Sequence, residues 1–205
     1  MIEDTGERII PENMKITNEM LMEHVARYHF ASDYVYGRVL DFASGAGYGT
    51  HILAKRSKAE VHEVIGVDLD PDAIHYARGT YHHPSSAFME GDVTNVGLPE
   101  KLGTFDCVVS FETIEHIEAE EQFLANVYAL LKPGGTLILS TPFGQGRGKP
   151  CKSPFHVHQL TVDEFKQLFT GYTIADFYYQ RGPLIISAED YYSGRYPIGI
   201  AVCQK

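Results

Sequence analysis

Three glycines at alternate positions, Gly45, Gly47 and Gly49, follow the apolar run Val39-Leu40-Asp41-Phe42-Ala43 and precede a helical pattern. Without β-carbons the backbone there can approach a ligand closely, and the free N–H groups of a helix start favour a polar or anionic group. Asp68 ends the next apolar run, 23 residues after Gly45. A carboxylate at that distance in sequence is suited to accept hydrogen bonds from ribose hydroxyls. Loop and acid together imply a nucleoside-bearing cofactor; for the glycines alone, a tight strand-to-helix turn is the plain alternative.

A second group of reactive side chains lies further along. Glu112 and His116 stand in Glu112-Thr113-Ile114-Glu115-His116, just past the apolar run 105–111. His116 could act as a general base or touch a second substrate, and Glu112 could orient either ligand. The alternatives are a histidine that helps to start a helix and an acid favoured by the dipole of its first turn. In Phe155-His156-Val157-His158-Gln159, His156 is a candidate to contact the acceptor. His156 and His158 share one side if the segment is extended, which would suit a metal pair. No carboxylate or cysteine cluster completes a ligand set nearby in sequence, so no metal is assigned.

The elements that must position these groups follow a rhythm of short apolar runs and helical stretches, the pattern of parallel strands with crossover helices. It places strands near residues 39–43, 64–68, 87–90, 105–111 and 136–140, with helices near 48–58, 71–78 and 120–131. Lys132-Pro133-Gly134-Gly135 stops the last helix. Ahead of the glycine loop, residues 18–30 read as an amphipathic helix with Asn18 as N-cap, preceded by an irregular arm. Thr161 and Glu164 have the spacing of a capping box. Residues 172–179 and 198–203 are strand-like and expected to pair antiparallel at a sheet edge. The loop 143–152 carries Arg147, Lys149 and Lys152 with no acid, a lid suited to an anionic acceptor, or else a solvated loop.

Composition narrows the partners. The 205 residues are about one domain's worth of chain. Seventeen Lys+Arg against 27 Asp+Glu give a net charge of −10, the wrong sign for a protein that holds nucleic acid by neutralising phosphates. No apolar run approaches a membrane span, and the acidic start is unlike a secretory leader. Cys107, Cys151 and Cys203 form no C-x-x-C pair and are odd in number, which points to a reducing, cytoplasmic setting.

A dinucleotide-binding reading of the loop would need a third small residue at position 50, which is Thr50. Read as G-x-G-x-G with Asp41 as the acid ahead of it, the loop resembles motif I of the class I S-adenosylmethionine-dependent methyltransferases. Gly66-Val67-Asp68-Leu69-Asp70-Pro71 resembles their second motif and Gly91-Asp92-Val93 their third. Phe105-Asp106-Cys107-Val108-Val109-Ser110 resembles their fourth strand, and Leu130-Leu131-Lys132-Pro133-Gly134-Gly135-Thr136-Leu137 the turn before the fifth. The motifs cover roughly residues 38–141. Gly6-Glu7-Arg8-Ile9-Ile10-Pro11, His24-Val25-Ala26-Arg27-Tyr28 and the stretch from Phe111 to His116 further resemble a bacterial subgroup associated with glycan, sugar and small-molecule methylation.

The resemblance implies S-adenosylmethionine as cofactor and S-adenosylhomocysteine as product. It gives Asp41, Ala43, Gly45, Gly47, Gly49 and Tyr48 the shaping of the cofactor site, Asp68 and Leu69 the ribose, and Asp92 and Val93 the adenine. Ser110 and Phe111 would end the fourth strand beside the cofactor, and Arg27 or Tyr28 would reach back to the methionine carboxylate. The implied fold is α/β, a Rossmann-like, doubly wound, mostly parallel seven-stranded sheet with an antiparallel edge strand. One domain over 1–205 is expected, with an arm and helix (1–36) as a cap, a cofactor-binding core (37–142) and an acceptor-side region (143–205). Residues 6–11 would form a lid. The expected activity is transfer of a methyl group, at oxygen, to a small-molecule or sugar-containing acceptor, with no nucleic-acid or membrane partner. The acceptor atom and the oligomeric state stay open, a homodimer among the options. Two rivals remain, an NAD-dependent oxidoreductase on the same scaffold and a non-catalytic S-adenosylmethionine-binding module.

Overall fold

The computed structural model describes residues 6–56, 60–151, 153–191 and 193–205. After a short 3-10 turn at Pro11–Asn13, helix α1 (Glu19–Ala31) begins where Asn18 Oδ1 accepts from the Leu21 N–H at 3.0 Å. That bond satisfies one of the donors a helix start leaves unpaired. The chain then runs β1 (Gly37–Phe42), α2 (Tyr48–Arg56), β2 (Val61–Asp68), α3 (Pro71–Thr80), β3 (Ser86–Glu90), α4 (Leu98–Leu102) and β4 (Phe105–Phe111). It continues through α5 (Glu120–Leu130), β5 (Leu131–Pro142), α6 (Val162–Gln167), β6 (Ile174–Arg181), β7 (Leu184–Ser187) and β8 (Ile198–Gln204).

These strands make one eight-stranded sheet in the order β3-β2-β1-β4-β5-β8-β6-β7. β1 to β5 are parallel, and β8 inserts antiparallel between β5 and β6. Both faces are covered, which is why the inner strands read as continuous apolar runs. On β1, Val39 packs on the face shared with α1 and α2, while Leu40 and Phe42 pack on the face shared with α4, α5 and α6. Among the described residues no helix is long and apolar enough to cross a membrane.

Three features differ from the sequence reading. The sheet has eight strands rather than seven, because the turn at Gly182-Pro183 folds β7 back onto β6. The segment 131–135 begins β5 instead of lying outside it: Leu131 pairs with Phe105 and Thr136 with Cys107, so the extra residues bulge out between them. Helix α4 was not expected; one turn is too short to show periodicity. The capping box does form, with Thr161 Oγ1 accepting from Glu164 N and Glu164 Oε2 accepting from Thr161 N.

Candidate active site

The strand order reverses between β1 and its neighbours β2 and β4, which opens a crevice beyond their carboxyl ends. A cavity of about 680 Å³ fills it, a size typical of small-molecule sites. Ala43, Ser44, Gly45 and Tyr48 line it after β1, Asp68 and Leu69 after β2, Asp92 and Val93 after β3, and Phe111, Glu112, Glu115 and His116 after β4. Tyr28, His24 and the arm residues Glu7, Arg8 and Ile9 close it from above, and Phe155, His156, Pro197 and Ile198 complete the far wall.

Two non-glycine residues among those described have positive φ, Ala43 at 70° and Glu112 at 49°. Each is the first residue past β1 or β4, where such a conformation costs about 1 kcal/mol or more and turns the chain sharply out of the sheet. Gly45 follows with φ of 54°, and a β-carbon there would meet no atom within 4 Å, so the loop stays open to the cavity. Its N–H donates to Asp68 Oδ2 at 2.8 Å, while Asp68 Oδ1 accepts from Asp70 N at 3.0 Å. The Asp68 carboxylate is thereby fixed in orientation, and each oxygen keeps a lone pair for a further donor. Asp92 is held similarly, Oδ1 accepting from both the N–H and the hydroxyl of Thr94.

The other glycines act differently from the sequence reading. Gly47 faces α3 and β3 rather than the cavity, and a β-carbon there would lie 2.6 Å from that of Ala77. At Gly49 a β-carbon would collide with the Tyr28 ring. Asp41 also lies outside the cavity wall. It is fully buried, accepting from Tyr28 Oη at 3.0 Å and Thr50 Oγ1 at 2.7 Å. Burial raises its carboxyl to about 6, against the opposing pull of those hydrogen bonds. Ser110 likewise sits behind the wall, its hydroxyl donating to the Phe42 carbonyl at 2.7 Å. Of the two candidates on α1, Tyr28 lines the cavity and Arg27 does not. Arg27 is fully buried, donating to Gln180 Oε1 at 2.8 Å, with Nη2 4.0 Å from Glu112 Oε1.

At the other end of the cavity Glu112 Oε1 accepts from Ser140 Oγ at 2.9 Å. Glu115, 1% exposed, accepts from Thr141 Oγ1 at 3.0 Å. Burial, followed by the charge of Glu112, pushes the Glu115 carboxyl well above the usual carboxylate range. The His116 and His156 rings meet edge to face at 4.9 Å, and burial, then His116, lowers the His156 imidazole below its ordinary value. His24 is held neutral by burial and by Arg27, its Nδ1 3.0 Å from Tyr48 Oη.

His156 and His158 do not form a pair. The segment turns rather than extends, and His158 Nε2 lies 3.0 Å from Glu120 Oε2. The basic loop is not free of acids either: Arg147 pairs with Glu120 and Glu164, brought in from α5 and α6. Lys152 lies outside the described residues. Sequence reasoning missed Glu7, Arg8, His24, Ser44, Glu115 and the Pro197-Ile198 wall as cavity residues. Glu7, Arg8, His24 and Glu115 stood inside recognised stretches, so scrutiny of each polar residue there would have found them.

Residues 40–139 match the family model described as a methyltransferase domain. The chain is 32% identical over 84% of its length to a probable S-adenosylmethionine-dependent methyltransferase of Mycolicibacterium smegmatis, covering 66% of that relative. It is also 32% identical over 80% of its length to one of Mycobacterium tuberculosis, covering 58% of it. The chain thus spans less than two thirds of the length of these relatives. Among solved structures it resembles the plantazolicin methyltransferase BpumL in complex with S-adenosylhomocysteine, with a TM-score of 0.66 at 15% identity over 89% of this chain and 83% of that one. An O-methyltransferase family protein of Burkholderia thailandensis has the same TM-score at 16% identity, over 91% of this chain and 58% of that one. With the glycine loop, the acid after β2 and the inserted antiparallel strand all in place, the chain carries a class I S-adenosylmethionine-dependent methyltransferase domain.

Proposed function

We propose that the protein transfers a methyl group from S-adenosylmethionine to a small-molecule or glycan-type acceptor, at oxygen. The observation that carries this reading is that one cavity joins the cofactor-motif residues Gly45, Asp68 and Asp92 to the reactive side chains Glu112, His116 and His156. The cavity suits the cofactor in three further respects: Gly45 leaves it open, Asp68 keeps free lone pairs, and Ser44 Oγ is buried there without a partner among the described residues. In this reading Asp68 and Leu69 hold the ribose, Asp92 and Val93 the adenine, and Tyr28, Ala43, Tyr48 and Phe111 the remaining walls. Arg27, Asp41, Gly47 and Ser110 support those walls from behind. The bound cofactor supplies an electrophilic methyl group on sulfur.

The protein's own residues orient the acceptor, exclude water and receive a proton. Ile9, 4% exposed, and Tyr28 shut out solvent from above, so the arm and α1 act as the cap. His156 is unprotonated at neutral pH and, with Glu112 and His116, is placed to take the acceptor hydroxyl proton. The two mycobacterial relatives carry no acceptor in their names; a fatty-acid O-methyltransferase of Mycolicibacterium smegmatis and a ubiquinone biosynthesis O-methyltransferase of Xanthomonas campestris match about half of this chain and support oxygen, while a phosphoethanolamine N-methyltransferase of Caenorhabditis elegans that matches 54% of it makes nitrogen the alternative to test. The three free cysteines fit a cytoplasmic setting. Incubation with labelled S-adenosylmethionine and panels of phenols, carboxylic acids and nucleotide sugars tests the reading. Label in an O-methyl product is the expected result; label only in N-methyl products would overturn the oxygen assignment.

A further inference from the structure

We propose that Glu7, His116 and His156 form a binding site for one divalent transition-metal ion, best matched by zinc, at the acceptor end of the cavity. The assignment rests on the proposed acceptor role of the cavity only for what occupies the open coordination position. One donor atom from each of the three residues lies within 4.8 Å of the others. His116 Nε2 is 3.9 Å from Glu7 Oε2, and His156 Nε2 is 3.7 Å from Glu7 Oε1, both too far for hydrogen bonds.

The tautomer of His116 sharpens the point. Its Nδ1 is 3.0 Å from the Phe155 carbonyl oxygen, which can only accept, so Nδ1 carries the proton. That leaves Nε2 as the ring nitrogen that faces the Glu7 carboxylate, at a spacing a shared cation would fill. Bonds of about 2.0–2.2 Å to a zinc ion would bring such atoms to roughly 3.3–3.6 Å apart, a closing of a few tenths of an ångström for the two Glu7 pairs and of up to about 1.5 Å within the 4.8 Å span of the whole set.

The surroundings have the form of an outer coordination shell. Ser153 Oγ donates to Glu7 Oε1 at 2.6 Å and fixes the carboxylate, as the Phe155 carbonyl fixes the His116 ring. The second imidazole has no such support from the protein: His156 Nδ1 is buried with no partner among the described residues. Among the described residues no side-chain cation fills the gap: Arg8, in the same wall, is paired with Asp70 at 2.6 Å, and Arg27 lies behind Glu112. Two imidazoles and one carboxylate are a donor set zinc takes when a fourth position stays open. All three residues line the cavity, so that position faces the space where an acceptor oxygen or water would bind, and with both imidazoles on the metal the acceptor proton falls to Glu112. Glu7 comes from the arm, 109 residues ahead of His116, which is why no local ligand spacing betrays the set.

The test is calorimetric titration of the metal-free full chain with zinc alone, with S-adenosylhomocysteine binding measured on the same samples. One equivalent should bind, at least tenfold more weakly after Glu7→Ala, His116→Ala or His156→Ala, and unchanged after His158→Ala, since His158 turns to Glu120. Glu7 lies in the arm, so Glu7→Ala leaves the sheet intact, and retained S-adenosylhomocysteine binding reports its fold. No zinc uptake, meaning an imidazolium–carboxylate pair only, or uptake unaffected by Glu7→Ala and His116→Ala, would overturn the site. Zinc uptake without S-adenosylhomocysteine binding would instead overturn the methyltransferase reading and leave the metal site standing.

Discussion

Tyr28 Oη donates to Asp41 Oδ1 across 3.0 Å, so the helix that caps the cavity is tied to the fully buried end of β1. Gly49 makes the contact possible, because any β-carbon there would occupy the space of the Tyr28 ring. A glycine of the fingerprint loop thus serves the packing of α1 rather than the approach of a ligand.

Tyr28→Phe removes a hydrogen bond to a carboxylate and is expected to lower stability by about 1.5–3 kcal/mol. Gly49→Ala should cost more, since the ring has to move. Urea denaturation of both variants checks the order; a Gly49→Ala protein as stable as wild type would contradict the packing role.

Asp41 adds a pH dependence whose sign is definite. Its carboxyl rises from 3.8 to about 6 on folding, so the folded state binds the extra proton. The associated stability is fully present below pH 3.8 and is lost as pH rises through about 6, on the order of 3 kcal/mol across the window. Asp41→Asn should remove that slope, so the stability gap between variant and wild type shifts in the variant's favour from pH 4 to pH 7. Parallel denaturation midpoints would contradict it.

Burial and then the charge of Glu112 raise the Glu115 carboxyl and so favour its neutral form. Glu115→Gln, a neutral isostere, is therefore expected to leave stability at pH 7 nearly unchanged. Glu115→Ala leaves Thr141 Oγ1 without its partner and opens a void, a loss of about 1–3 kcal/mol. Equal losses in thermal melts of the two variants would mean that the carboxylate is charged.

Asp68→Ala removes the acceptor of the Gly45 N–H as well as the proposed ribose contacts. Cofactor affinity is expected to fall at least tenfold, each lost charge-assisted bond being worth about 1.5–3 kcal/mol. Arg147→Ala, in contrast, breaks exposed pairs with Glu120 and Glu164 and should leave the acceptor KM unchanged.

That Gly45, Asp68 and Asp92 line one cavity was legible, because Gly45 and Asp68 sit at fixed offsets from strand ends and Asp92 lies in a stretch that resembles the family's third motif. The parallel core was legible for the same reason, each strand being an apolar run that stops at a loop. Asp41 and Gly49 were recognisable as motif members, yet only the structure places them behind the wall, since sequence spacing does not tell which side of a turn a side chain takes. The acceptor end was harder. Glu7 and His156 meet His116 only through the fold, and the acids that pair with Arg147 come from two other helices. Loop-closing contacts of this kind leave no periodic trace.

The central claim is that the cavity takes S-adenosylmethionine, and calorimetry with S-adenosylhomocysteine beside NAD under identical conditions tests it most directly. Micromolar or tighter binding of S-adenosylhomocysteine, abolished or weakened by Asp68→Ala, with no heat from NAD, is the predicted result. Binding of NAD alone, or of neither, would contradict it.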